Sequence, residues 1–342
     1  MDAPTSHSTP YAQLTYVVGH SRGGTTWLGE LIACHRDLRY IFEPFASQAH
    51  PYTGVDTQTL FNGGRFIRRQ KRGAAHADLP VPQFFREPQT EQDPFAELTQ
   101  MHLARLANYY FPDERDYQLV VKQPRLENLG WAVHTLRPHR IIILDRHPLG
   151  VVNSLSRWNV LHWNDIEWRL FTQDASLTPQ QRRLAAAAET IEERILVLSY
   201  LRSQYAREFC RTRRDARWFE YESLCVAPRE TVLQIWDFLA LDNDDASRQR
   251  LDATLAAREP EADNSMHDTH QDPLRRSAAW RAELPADVRE RLLRFIEREA
   301  LDIPLPGAGL PPLTRSEQLA SERHALRQLW RRCRQWLSIR AA

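Results

Sequence analysis

Between a short apolar run, Leu14–Val18, and a helical apolar pattern opening at Thr26 lies Gly19-His-Ser-Arg-Gly-Gly-Thr-Thr-Trp27, where residue types and spacing permit chemistry. Glycines between a strand and a helix leave consecutive backbone N–H groups at a helix N-terminus, and such groups bind anions. Three chemistries compete for this turn. Gly19-His20-Ser21-Arg22-Gly23 spells the G-x-S-x-G nucleophile elbow, with Ser21 as the attacking hydroxyl. That elbow draws part of its oxyanion hole from a loop earlier in the chain, and only eighteen residues precede Gly19. Gly19 and Gly24 also have the spacing of the phosphate loop G-x-x-x-x-G-K-[ST], with Thr26 at the hydroxyl position, but Thr25 stands where the lysine belongs. The third reading moves the cation to Arg22, ahead of Gly23-Gly24-Thr25-Thr26-Trp27.

A second candidate segment is Ile141-Ile-Ile-Leu-Asp-Arg146-His-Pro-Leu-Gly-Val-Val-Asn-Ser154. An arginine closing an apolar strand offers a fork of donors to a phosphate, and Pro148 suits the first turn of the following helix. Ser154 falls about two turns along that helix and adds a hydroxyl. Taken alone, Arg146 could equally close a strand-end ion pair and Ser154 lie on a helix surface. The lysine at 122 stands out because the 45 basic residues are otherwise arginine, except for Lys71. It closes the apolar run Gln118–Lys122.

Together these segments resemble the PAPS-dependent sulfotransferase family (PAPS, 3′-phosphoadenosine 5′-phosphosulfate), nearest in pattern to its carbohydrate and protein-tyrosine branches and of a soluble bacterial type. The 5′-phosphosulfate loop of that family runs basic residue, small residue, Gly, Thr, Thr, often then Trp-Leu. Its 3′-phosphate element is a strand-ending Arg with a Ser eight residues later, as in Arg146 and Ser154 here. Lys122-Gln-Pro124 is similar to the family's K-x-P, and Tyr221 in Phe219-Glu-Tyr-Glu-Ser-Leu224 to a nucleotide-holding tyrosine. Ser265 with Trp280-Arg281 resembles a late serine-to-tryptophan stretch, although Ala279 stands where that branch has lysine; Arg275 or Arg276 could replace it.

The resemblance implies transfer of a sulfuryl group from PAPS to a hydroxyl or amine of a small-molecule, sugar or lipid acceptor, releasing 3′-phosphoadenosine 5′-phosphate (PAP) without a metal. It implies Arg22 and Lys122 as cations facing the leaving group, with Gly23, Gly24, Thr25, Thr26 and Trp27 around the 5′ end. Arg146, Ser154, Tyr221 and Ser265 complete the donor contacts. It implies Glu43, twenty-one residues past Arg22, as the base. Another P-loop nucleotide-dependent transferase or kinase, with Asp145 the nearest metal-ligand candidate, and an α/β-hydrolase using Ser21 are the competing functions.

The elements that must position these residues read as alternating strands and helices. Apolar runs at 14–18, 39–42, 118–122, 140–146 and 217–221 are each expected to be a strand. Helical periodicity begins at 26, 126, 149 and 229. This is the pattern of a P-loop-like three-layer α/β/α fold with a mainly parallel sheet of about five strands and helical insertions. A single domain over 1–342 is expected. Residues 50–112, with Phe61, Phe66, Phe84, Phe85, Tyr109 and Tyr110, read as an acceptor-site or lid insertion and 163–214 as a helical insertion over the sheet's carboxyl edge. Residues 316–339 read as an amphipathic helix that packs back or touches a membrane.

With 45 basic against 44 acidic residues and a net charge of +1, no global field draws the chain to nucleic acid. The scattered Cys34, Cys210, Cys225 and Cys333 suit neither disulfides nor zinc, and the polar start lacks a signal-peptide pattern, so a cytoplasmic location is expected.

Overall fold

The computed structural model describes residues 10–45, 96–124, 126, 129–157, 163–174, 177–257 and 273–303. Most of the 50–112 segment, with Phe61, Phe66, Phe84 and Phe85, lies outside these residues, as do Ser265, Cys333 and the 316–339 segment. Five strands form one sheet: β1 (Tyr11–Gly19), β2 (Leu38–Phe42), β3 (Tyr117–Pro124), β4 (Arg140–Asp145) and β5 (Ala216–Glu220). Every pairing is parallel, and the order is β2-β3-β1-β4-β5. Between and after them run α1 (Thr25–Ile32), α2 (Ala96–Tyr110), α3 (Leu129–Trp131, continued by a π-helical turn over Ala132–Leu136), α4 (Pro148–Arg157), α5 (Trp163–Gln173), α6 (Pro179–Ala187) and α7 (Ile191–Thr212). Then come α8 (Tyr221–Val226), α9 (Pro228–Phe238), α10 (Asp245–Ala256), α11 (Pro273–Ala278), α12 (Trp280–Glu283) and α13 (Ala286–Arg298).

Continuous apolar strands are what a sheet covered on both faces requires, because successive side chains point to opposite sides. Tyr16, Val18, Leu119, Val121, Ile141 and Ile143 pack on one face with Leu103 and Leu106 of α2. Val17, Val120, Ile142 and Leu144 pack on the other with Leu28 and Leu31 of α1 and Val232, Ile235 and Trp236 of α9. The buried Trp236 also donates its indole N–H to the Ile32 carbonyl at 3.0 Å, tying α9 to the end of α1.

The 163–214 segment is helical, but its long helix is a layer of the fold and not only a cap over the sheet's edge. Ala206 and Phe209 of α7 share the cluster of Tyr16 and Ile141, because that sheet face has to be covered along its length. The opposite stretch of α7 joins α4 and α13 in a helical core that includes Leu196, Leu198, Leu292 and Phe295. Its start is fixed by a capping box in which Thr190 accepts from the Glu193 N–H and Glu193 accepts from the Thr190 N–H.

Among the described residues the expected strands and helices arise with ends shifted by a few residues. Two shifts matter locally: the helix expected from 126 narrows to α3 and its π turn, and Tyr221, read as the end of the fifth strand, opens α8. No helix among the described residues is long and apolar enough to cross a membrane.

Candidate functional site

The strand order places β1 at the centre, with β3 on one side and β4 on the other, so the turn after Gly19 emerges between the ends of both neighbours. Chain connections diverge here: β1 leads to β2 beyond β3, whereas β3 leads to β4 across β1. In an open parallel sheet the crevice at such a point, outside the carboxyl ends of the strands, receives ligands.

Within the turn the Gly23 N–H donates to the His20 carbonyl at 2.8 Å, and α1 begins after Gly24. Gly24 lies in the left-handed region at φ 87°, and a Cβ there would stand 2.4 Å from the Tyr221 ring. Glycine is thus required twice, by its dihedral and by the aromatic ring against its Cα. Arg22 has a left-handed φ of 67° and Glu43 one of 41°. Non-glycine residues persist in that conformation where surrounding structure holds them, commonly at functional sites.

Arg146 leaves the end of β4 buried, at 6 % exposure. Its guanidinium donates to the Arg22 carbonyl at 2.8 Å and the Arg276 carbonyl at 3.2 Å, and lies 4.5 Å over the Tyr221 ring. The two sequence segments therefore meet at one place. Trp27, buried, makes an edge contact with Tyr221 at 6.5 Å between ring centroids. Thr25 is buried beneath the turn and Thr26 is half-buried.

The electrostatics around this point are those of cations gathered together. Burial, then the charges of Arg146 and Arg157, pull the Arg22 guanidinium down to about 10, with Tyr221 opposing. Arg276 is lowered chiefly by burial, with Arg157 and Arg146 adding to the effect, while Glu283, at 3.2 Å, works against it. Ser154 is half-buried and three residues before Arg157, so the two share a face of α4. Because Arg157 acts on both Arg22 and Arg276, that face is the one turned to the cluster.

On the other side of β1, Lys122 is 4 % exposed and its ammonium donates to Glu43 Oε1 at 2.5 Å, above the Phe42 ring at 4.6 Å. The register explains the meeting: Lys122 pairs with Phe42 across β2 and β3, and the Glu43 N–H donates to the Lys122 carbonyl at 2.9 Å. Burial depresses the Lys122 ammonium, the Glu43 carboxylate opposes this, and Arg22 adds to the depression, with a net lowering. Since the Arg22 charge reaches Lys122, both sides of the turn belong to one site.

Tyr221 is raised, chiefly by burial. Next to it, Glu222 accepts from the His147 N–H at 3.1 Å, and burial lifts its carboxyl to about 7 against the opposing Arg146 charge. The neighbouring His20 ring is directed to Asp145 and not to Ser21. Asp145 is buried and accepts from Ser203 and Trp218, so its oxygens are engaged within the protein.

Of the residues singled out from sequence, Arg22, Gly23, Gly24, Thr25, Thr26, Trp27, Glu43, Lys122, Arg146 and Tyr221 gather at this edge, with Ser154 on the adjoining helix. Sequence reasoning passed over Arg157. Its position one turn past Ser154 was the available signal. Arg276 was considered as a replacement for the missing lysine, and it lies against Arg146.

A family model described as "Sulfotransferase family" matches residues 15–245. No curated protein matches the sequence. Solved structures with similarity include retinol dehydratase in complex with androsterone and inactive cofactor PAP, at 16% identity and TM-score 0.43, covering 86% of this chain and 82% of that one. Another is a sulfotransferase domain from the curacin biosynthetic pathway, at 16% identity and TM-score 0.40, covering 85% and 99%. A third is sulfotransferase STF9 from Mycobacterium avium, at 15% identity and TM-score 0.43, covering 86% and 78%. Identities and TM-scores this low carry no functional argument.

Proposed function

This chain belongs to the sulfotransferase family, and on that premise we propose that it moves the sulfuryl group of PAPS to a hydroxyl or amine of a small-molecule, sugar or lipid acceptor. One observation carries the choice of donor. Arg146 donates to the carbonyls of Arg22 and Arg276, and its charge and that of Arg157 add to the burial that lowers both the Arg22 and Arg276 guanidinium groups, an arrangement at a helix N-terminus that a ligand with anionic groups at two ends would relieve.

When bound, PAPS supplies a sulfuryl group joined to a phosphate leaving group through one bridging oxygen. The backbone N–H groups from Gly24 to Thr26 would hold the 5′ phosphate, and Arg146, Arg276 and Ser154 the 3′ end. Arg22 and Lys122 would meet the charge that develops on that bridging oxygen as it keeps the electron pair of the breaking S–O bond. Fixed cations at the place where charge develops contribute the largest single term in such reactions. Glu43 takes the acceptor's proton as the acceptor's lone pair forms the new bond to sulfur. Lys122 thus has two partners, the carboxylate it touches at 2.5 Å and the leaving oxygen.

Isothermal titration with PAP, ADP and ATP tests the donor. Tight binding of PAP alone is expected, since only a nucleotide with a 3′-phosphate uses Arg146 and Arg276. Equal affinity for ADP refutes the assignment.

A further inference from the structure

We propose that Asp145 and His20 are positioning residues: the last side chain of β4 grips the first side chain of the anion-binding turn and sets the turn against Arg146. His20 is 1 % exposed and Asp145 5 %, and His20 Nε2 donates to Asp145 Oδ1 at 3.0 Å. Ser203 of α7 donates to the same oxygen at 2.7 Å, and the Trp218 indole to Oδ2 at 3.3 Å. The cluster is no catalytic relay. Its serine and histidine converge on one carboxylate oxygen, Nε2 serves both Asp145 and Ser203, and Nδ1 is buried without a hydrogen-bond partner.

Its geometry makes it a clamp. Consecutive strand residues point to opposite faces, and here Asp145 faces α7 while Arg146 faces Tyr221. Asp145 holds residue 20 through its side chain, and Arg146 holds residue 22 through its carbonyl at 2.8 Å. The His20 carbonyl closes the turn by accepting from Gly23. Left-handed Arg22 and Gly24 are thus fixed from both faces of the sheet, which is what backbone in that region needs to persist. Burial alone raises the Asp145 carboxyl, but the hydrogen bond and charge of His20, the Ser203 hydroxyl and the Arg207 charge outweigh it, and the net displacement is downward.

The effect on donor binding rests on the PAPS reading; the clamp itself does not. The test pairs hydrogen exchange of the 19–27 peptide in the ligand-free protein with PAP titration, in wild type, H20A, H20Q, D145N, the H20A/D145N double variant and W218F. Hydrogen bonds to charged groups being worth what they are, H20A and D145N are each expected to speed turn exchange and weaken PAP by roughly tenfold to a hundredfold. H20Q, which keeps an N–H donor, should recover most of that loss. The double variant should be no worse than the poorer single one, because both remove the same link. W218F removes a donor to the same carboxylate without touching the turn, so it should lower the melting temperature and leave turn exchange and PAP affinity unchanged. Unaltered turn exchange in H20A, multiplied losses in the double variant, or a W218F matching H20A in both readouts overturns the clamp. If wild type does not bind PAP, the donor reading fails, and the exchange contrast between H20A and W218F still decides the clamp.

Discussion

Replacing Arg22 by glutamine should make the ligand-free protein more stable while removing its activity. The Arg22 guanidinium is drawn down to about 10 from its ordinary value by burial and by Arg146 and Arg157. At about 1.4 kcal/mol per tenfold change in the protonation equilibrium, holding that charge in the folded protein costs about 3 kcal/mol. Arg22 is half-buried, so water screening reduces the figure, and about 1–3 kcal/mol is the expected gain. The cost applies at every pH below about 10 and lifts as pH rises through that value, since the folded state then releases a proton the unfolded chain keeps. Glutamine preserves the stem, the left-handed dihedral and the carbonyl that accepts from Arg146. Thermal unfolding of R22Q without nucleotide should therefore be raised by a few degrees, at roughly 2–4 °C per kcal/mol. In the same protein PAP affinity should fall by roughly tenfold to a hundredfold and kcat by about a hundredfold or more. A lower melting temperature together with intact PAP affinity would refute the reasoning, because the guanidinium would then be a stabilising group with no anion to meet.

Four further outcomes are expected. Lys122→Ala should lower kcat by about a hundredfold or more, and Glu43→Gln should lose turnover while keeping PAP affinity; steady-state kinetics with titration separates these from a shared binding defect. Gly24→Ala places a methyl 2.4 Å from the Tyr221 ring at a φ of 87°, and should both lower the melting temperature and abolish PAP binding by displacing Tyr221 from Arg146. Glu222, raised to about 7, binds a proton in the folded state that the unfolded chain has already released, so it makes stability fall as pH rises from about 4.5 to 7. Denaturant titrations across that window should show a flatter pH dependence in E222Q.

How much of this site was legible before folding differs residue by residue. The turn from Gly19 to Trp27 announces itself, because an anion-binding turn between a strand and a helix is built from contiguous residues and its glycines have local causes. Arg146 and Ser154 were legible for a similar reason, since a strand, a proline-started helix and two turns fix their separation along the chain. The scarcity of lysine singled out Lys122. By contrast, the sequence does not reveal the direct contact between Lys122 and Glu43, seventy-nine residues earlier; the β2–β3 register makes them neighbours.

The sequence by itself determined the alternation of strands and helices, the two anion-binding segments and the family to which they point, because each depends on interactions within one stretch of backbone. Tertiary structure decided which strands lie side by side. Through that order it set the gathering of Arg146 and Arg157 about Arg22, the Lys122–Glu43 pair and the grip of Asp145 on His20. The physical reason is that apolar periodicity records which face of an element is buried, whereas charges act through space on whatever the packing of those faces brings near.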